Sequence, residues 1–539
     1  MNTAAIFHQP SMPWLSIDHE GYIEIKCQTG KDIDRITLIY GDPHSGKFNQ
    51  NSWIWNGLEI PMECTGEGEQ HLYFSVRVKA PQNRLKYCFK IMGEKTVYYA
   101  DRQIRDTYDP SNIFQFDFLP YVFVSEAYQA PSNSDHTFWY QIFPDRFHAS
   151  PAVKAWADGP VDNLTHSGGN LKGIEEKLPY LSRLGITGIY LTPIFESPTV
   201  HKYDTRDYYS IDTRFGTEDD LIQLVNRAHE LGIKVMLDAV FNHTGTDFFA
   251  WKEAQKPNSP YRDWYYIHSD SYETFSFAQN MPKLNSENPE VIDYFCKVGQ
   301  YWVEKANIDG WRLDVANELS VEFIRQFRKR VKSCNKEVLI LGEIWHDSNR
   351  WLSGDMFDSV MNYPFMRVAN QFIIQNSMDE KTFNLAVCDY LNRYPFDVIT
   401  HQFNLYDSHD TIRLYNQSGF DISRVISALA FLYVSPGSPC IYYGTENAMK
   451  GDFDPDNRRC MQFHSESEPH PLQTLIKLMI KLRSSLKPLS TFNQWSAKAD
   501  KDTIRVQWLD TTIMIPCKAI YSDKAETLSD FGIEIKKQR

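Results

Sequence analysis

No apolar run in this chain is long enough to cross a bilayer. The most apolar stretch, 428–434, falls far short of the roughly 20 residues that a spanning helix needs. Positive charge is also scarce. The formal net charge of −13 lacks the basic footprint that nucleic-acid or anionic-membrane partners require. Nine cysteines are scattered and odd in number, with no CxxC pair and no Cys/His cluster. Neither a disulfide framework nor a zinc site is predicted. No Lys or Arg precedes Lys26, so the basic start of a signal peptide is missing. These absences predict a protein of the reducing cytoplasm with no nucleic-acid partner, no membrane partner and no cofactor.

Aromatic residues are abundant instead. They make up 14% of the chain, including 13 Trp and 30 Tyr, enough to fill a core and still supply rings that stack on sugars. A length of 539 residues predicts several domains. Residues 1–125 read as an all-β sandwich. Leu72, Phe74, Val76 and Val78 alternate with Tyr73, Ser75 and Arg77, and Leu85, Tyr87, Phe89 and Ile91 repeat the pattern. The polar segment 129–135 reads as a linker. Residues 137–485 alternate short apolar runs with helical stretches, with strands predicted at 138–143, 188–192, 235–240, 311–315, 339–344, 359–363, 402–406 and 440–443. The helix predicted over 217–231 has Thr217 as N-cap, Leu221, Leu224, Val225 and Ala228 as its apolar stripe, and Gly232 as its stop. Eight strand-then-helix units imply an α/β fold, a (β/α)8 TIM barrel. An inserted subdomain is predicted at 244–287 after the third strand, and a short C-terminal β domain at 490–539.

The segment Gly310-Trp311-Arg312-Leu313-Asp314-Val315 places Arg312 and Asp314 on one strand face. Such a guanidinium favours the ionised carboxylate, as a covalent nucleophile requires. Taken alone, the pair is equally well read as a buried ion pair. Other polar groups fall at strand ends too: Asp238, Asn242 and His243 after the third, Glu343 and Trp345 after the fifth, and His409 and Asp410 after the seventh. Strand C-termini are where barrel enzymes build their sites. Two carboxyls of different character suit glycoside hydrolysis, with one giving a proton and one attacking or activating water. Asp314 is the ionised candidate. Glu343, flanked by Ile344 and Trp345, is expected in the less polar surroundings that suit the proton donor.

At these residues the sequence resembles the α-amylase superfamily of glycoside hydrolases, and within it the neopullulanase, cyclomaltodextrinase and maltogenic-amylase group. The matching segments follow the family's order: 238–243, 310–318, 343–346 and 408–410, with Met281-Pro282-Lys283-Leu284-Asn285 marking the subgroup. The resemblance implies that Asp314 is the nucleophile, Glu343 the acid/base and Asp410 the transition-state stabiliser. Arg312 would orient Asp314. His243 and His409 would hold the sugar being cleaved, and Tyr203 would stack beneath it. Asp454 and Arg458 would bind sugars on the non-reducing side, and Trp345 would lie near the leaving group. Asp238 and Asn242 would be supports. Substrates would be small α-glucans (cyclodextrin, maltodextrin, pullulan), cleaved with retention at α-1,4 bonds and also at α-1,6 bonds.

The resemblance further implies a homodimer in which the N-terminal domain covers the partner's cleft; of Trp53 and Trp55, at least one is expected in the core, and the other is available as stacking surface at that junction. Three departures stand out, one of them the short C-terminal β domain. The loop at 147–156 lacks the acids of a calcium site, with none before Asp158, and Asn170 stands where the group has Asp. No metal is therefore expected there. Glycosyl transfer or isomerisation on the same scaffold remains an alternative, as does non-catalytic glucan binding, although the latter class loses the acids that are intact here.

Overall fold

The computed structural model describes residues 1–537, apart from Asn51, Asn133, 153–155, Ala157, Asp158, Asp270 and Glu466. Two large antiparallel sheets and a separate hairpin, Gly46–Asn49 with Ser52–Trp55, form the N-terminal region. One runs in the order Leu15–Ile17, Tyr22–Thr29, Leu72–Lys79 and Glu63–Glu67. The other runs Gln103–Arg105, Thr96–Ala100, Leu85–Gly93, Ile33–Gly41 and Leu58–Pro61. The alternating apolar residues meet in one core containing Ile23, Ile25, Phe74, Val76, Leu85 and Phe89. Trp55 is buried and donates its indole N–H to the Asp42 carbonyl, so it offers no stacking surface; Trp53 is half-buried against Phe48.

All eight predicted barrel strands form: Trp139–Ile142, Gly188–Leu191, Lys234–Ala239, Gly310–Leu313, Leu339–Gly342, Ser359–Val360, Phe403–Asn404 and Ser438–Tyr442. Every pairing between them is parallel, and a single Met361–Phe403 bridge joins the sixth strand to the seventh and closes the barrel. The helix after the second strand spans Glu218–Glu230, and Thr217 and Asp220 cap it reciprocally. The subdomain predicted at 244–287 is, among the described residues, a mostly irregular excursion with a short α-helix, Phe249–Ala254, and a 3-10 turn, Arg262–Trp264. Four antiparallel strands, Trp495–Ala499, Thr503–Trp508, Thr511–Pro516 and Glu534–Lys537, make the C-terminal sheet.

The strands' period-two alternation splits the apolar residues between two cores. Ile189, Val235, Leu237, Trp311 and Ile340 pack outward under the helices. Trp139, Tyr190, Met236, Leu341, Phe403 and Cys440 form a separate cluster inside the barrel. Gln141, Asp238 and Arg312 share the inward phase of Trp139, Met236 and Gly310, one step nearer the strand ends. The segment predicted as a linker is instead packed. Ser132 N–H bonds to Glu337, the Gln129 carbonyl accepts from Arg328, and Ser134 is buried. Asn133 lies outside the described residues.

Candidate active site

Asp238 and Arg312 are direct partners in the register of the third and fourth strands. Arg312 Nη1 donates to both Asp238 oxygens at 2.9 and 3.0 Å and to Asp314 Oδ1 at 2.7 Å. Its Nη2 lies 2.9 Å from Glu343 Oε2, an ion-pair distance without aligned hydrogen-bond geometry. One fully buried cation thus faces three buried carboxyls. The fourth strand ends at Leu313, earlier than predicted, and places Asp314 just beyond its end.

This arrangement corrects the expectation that Arg312 alone keeps Asp314 ionised. Burial pushes the Asp314 carboxyl well above the usual carboxylate range. Arg312 pulls against that, while Glu343, Asp238 and Asp410 add to the rise. Burial likewise raises Asp238 to about 6 against the pull of Arg312. Carboxyls this close titrate as a set rather than one by one. Glu343 is not in the apolar setting expected from its neighbours in sequence. Its Oε2 accepts from Val315 N–H at 2.9 Å and its Oε1 from Trp345 Nε1–H at 3.1 Å.

Both site histidines are held neutral. Burial lowers His243 to about 3, and burial followed by Arg458 and Arg312 lowers His409 far below its ordinary value. Gln141, from the first strand, sits with Nε2 2.6 Å from His409 Nδ1. An amide N–H there makes Nδ1 the acceptor and leaves Nε2 to carry the proton, facing the Tyr203 hydroxyl and Asp410 Oδ2, the latter 3.2 Å away. The Tyr203 and His409 rings lie parallel, 4° apart, with centroids at 5.6 Å. Arg458 spans two acids, Asp454 at 3.0 Å and Asp410 at 3.4 Å, and its Nε–H bonds to the His409 carbonyl. Trp345 stacks on Tyr363, with ring centroids 3.8 Å apart, and remains 47% exposed at the rim.

These groups surround a cavity of about 430 Å³. Of the ten predicted side chains, Asp314, Glu343, Asp410, Tyr203, His243, Trp345, Asp454 and Arg458 line it; Arg312 and His409 lie beneath it. Sequence reasoning missed His201, Phe275, Met281, Val315 and Asn317. His201 stands two residues from Tyr203. Phe275, which stacks on His243 with centroids 5.0 Å apart, precedes the Met281 motif in the inserted segment. That proximity was the available signal. Three non-glycine residues beside the cavity, Lys202, Ser276 and Val315, have φ of +67°, +49° and +45°. Strain of this kind costs ~1–3 kcal/mol per residue and gathers at functional sites.

Among the described residues no group of three or more His, Cys, Asp or Glu side chains is arranged to hold a metal. Asn170 accepts from Gly173 N–H to cap the helix Leu171–Leu184 and donates Nδ2–H to the Ser150 carbonyl at 2.8 Å. An ionised aspartate at this position would have no proton for that second bond, which Asn170 supplies to tie the loop. Residues 153–155 and Asp158 of the same stretch lie outside the described residues.

The alpha amylase catalytic-domain family matches residues 141–508, and the alpha amylase N-terminal ig-like domain matches residues 1–122. A cyclomaltodextrinase of Geobacillus thermopakistaniensis (strain MAS1) is 39% identical over 96% of this chain and 91% of its own. An intracellular maltogenic amylase of Bacillus subtilis (strain 168) is 38% identical over 93% of this chain and 88% of its own. A solved cyclomaltodextrinase structure superposes with a TM-score of 0.86 at 33% identity, covering 96% of this chain and 91% of that one. With its barrel, its sandwich and its ring of carboxyls, the chain belongs to the alpha-amylase family of glycoside hydrolases.

Proposed function

We propose that the protein hydrolyses α-1,4-glucosidic bonds in cyclodextrins and short maltodextrins with retention, with some action on pullulan and α-1,6 bonds. The observation that carries this reading is the bridge from Asp314 through the Arg312 guanidinium to Glu343. Two carboxyls held by neighbouring nitrogens of one guanidinium suit direct attack, which needs a separation of roughly 5–5.5 Å, better than the roughly 6.5–9.5 Å that admits a water. Glu343 gives its proton to the glycosidic oxygen as Asp314 forms a bond to the anomeric carbon. Glu343 then takes a proton from water, whose oxygen displaces Asp314. Asp410, beside His409 and Arg458, stabilises the positive charge that develops on the sugar. Tyr203, His243, Asp454 and Arg458 hold the sugars on the cleaved side.

Small substrates fit a cavity of this size with Phe275, Met281 and Trp345 among its walls. The flat, half-exposed face of Trp345 on the leaving-group side supports a second activity, transfer of the glycosyl group to an acceptor sugar in place of water. The exposed Phe48, Ile113 and Phe118 share one groove with Trp53 on the N-terminal domain, which supports a homodimer through that domain. A cytoplasmic location is supported by nine free thiols and by the intracellular relative. No helix among the described residues is long and apolar enough to cross a membrane.

Product analysis on β-cyclodextrin, maltotriose, pullulan and soluble starch tests this reading. Faster turnover of cyclodextrin than of starch, with activity surviving exhaustive chelation, is the expected result. Starch as the preferred substrate would defeat the small-substrate assignment.

A further inference from the structure

Val315 is the one β-branched residue with a positive φ among the described residues. Its left-handed conformation, φ +45° and ψ +44°, is one that a β-branched side chain adopts only under constraint. The constraint is visible on both sides. Asp314 N–H bonds to the Ala239 carbonyl at 3.1 Å, and Ala316 N–H bonds to the Glu343 carbonyl at 3.2 Å. The chain is thereby tied to the third strand before Val315 and to the end of the fifth after it. The turn aims Val315 N–H at Glu343 Oε2, 2.9 Å away, and the same oxygen lies 2.9 Å from Arg312 Nη2. Oε1 is left on the rim side, beside the half-exposed Trp345 indole.

We infer that Val315 is a positioning residue for the acid/base: its backbone N–H holds Oε2 inward, so that Oε1 is the atom that exchanges the proton with substrate and water. The inference rests on the role proposed for Glu343. In the first step the Oε1–H bond breaks and the proton goes to the glycosidic oxygen, which leaves with the electron pair of its bond to the anomeric carbon. In the second step Oε1 takes a proton from the attacking water. With an extended backbone at 315 the N–H would leave Oε2, and the carboxyl would be free to turn.

The test replaces Val315 in the full-length protein with its α-hydroxy acid analogue, which exchanges the N–H for an oxygen and leaves the side chain intact. kcat/KM is measured on maltotriose, whose leaving group needs a proton, and on α-maltosyl fluoride, whose leaving group needs little help. The expected loss is about tenfold on maltotriose, the worth of one charge-assisted hydrogen bond, and less than about twofold on the fluoride. Val315→Gly keeps the N–H and accepts the left-handed backbone, so its ratio of the two values should match the unaltered enzyme. Equal losses on both substrates, or no loss on either, would overturn the inference. Glu343→Gln serves as the control. If it too shows no greater loss on maltotriose than on the fluoride, the role of Glu343 fails, whatever Val315 does. If the hydroxy acid chain does not fold, the Val315 amide proton of the ¹⁵N-valine-labelled protein decides. It should shift when Glu343→Gln replaces the carboxyl that accepts it, and a resonance that stays in place refutes the contact.

Discussion

The N-terminal sandwich and the mouth of the barrel are built from the same local pattern, strands whose alternate side chains turn inward. In the sandwich the inward positions are Ile23, Ile25, Phe74 and Val76, and apolar rings such as Phe48 and Phe118 are left outside. In the barrel the inward phase runs from Met236 to Asp238 and from Gly310 to Arg312, so the closed interior changes from apolar to ionic within one step. Burying a charge costs several kcal/mol unless it is paired, so the mouth is held together by mutual compensation and the sandwich by area. The same periodicity thus gives a core in one place and a reactive site in the other. The difference lies in which residue types fall inward.

The largest effects should come from breaking the mouth chemically. Asp314→Asn and Glu343→Gln should each lower kcat on cyclodextrin by roughly 10³–10⁵-fold while leaving the circular dichroism spectrum unchanged. A tenfold loss or less in Asp314→Asn would remove it as the nucleophile. Breaking the compensation comes next. Arg312→Met leaves Asp238, Asp314 and Glu343 buried without their cation and should cost about 3–5 kcal/mol in urea unfolding at pH 7. The cost should shrink at lower pH, where the carboxyls are neutral. A constant cost across pH would mean that packing, not charge, is what Arg312 supplies.

The sandwich carries a smaller electrostatic liability. His8 is buried, with Nδ1 2.7 Å from the Lys26 carbonyl and Nε2 2.8 Å from the Tyr87 hydroxyl, and burial lowers it to about 4. Its folded value lies below the roughly 6.5 of the unfolded chain, so the unfolded chain takes up the proton first. Its contribution is present above about pH 6.5 and is lost as pH falls toward 4, by up to about 3 kcal/mol. His8→Gln should flatten the dependence of Tm on pH across that window; an unchanged slope would place the acid sensitivity elsewhere. The smallest effect on stability belongs to the exposed rings. Phe48→Ser with Phe118→Ser should change the stability of the separate protomer by no more than about 0.5 kcal/mol, yet abolish on sedimentation the dimer proposed through their groove. If the unaltered protein sediments as a monomer at micromolar concentration, the groove has another use.

Much of this was legible in the sequence because it rests on periodicity. All eight barrel strands, the Thr217 cap and the acids at the strand ends follow from alternation, capping chemistry and the position of polar residues after apolar runs. What sequence could not give depends on distant contacts. The ionisation of Asp314 is set by how many carboxyls surround one guanidinium, and Asp238 and Glu343 reach it from other strands. The left-handed turn at Val315 contradicts the local preference of valine and exists because the third and fifth strands hold the chain on either side. Phe275 and Met281 reach the cavity from an irregular insert that has no period to read. The region at 129–135 looked like a linker by composition and is packed because Glu337 and Arg328 bind its backbone.

The central claim is that Asp314 carries the sugar between the two steps. Incubation with a fluorinated α-glucosyl fluoride that forms the covalent intermediate faster than it hydrolyses, followed by digestion and mass spectrometry, tests it directly. The account predicts a single labelled peptide, with the sugar on Asp314 and the label lost on exposure to an acceptor sugar. A label on Glu343 or Asp410, or an unlabelled protein that releases the inverted anomer as first product, would contradict it.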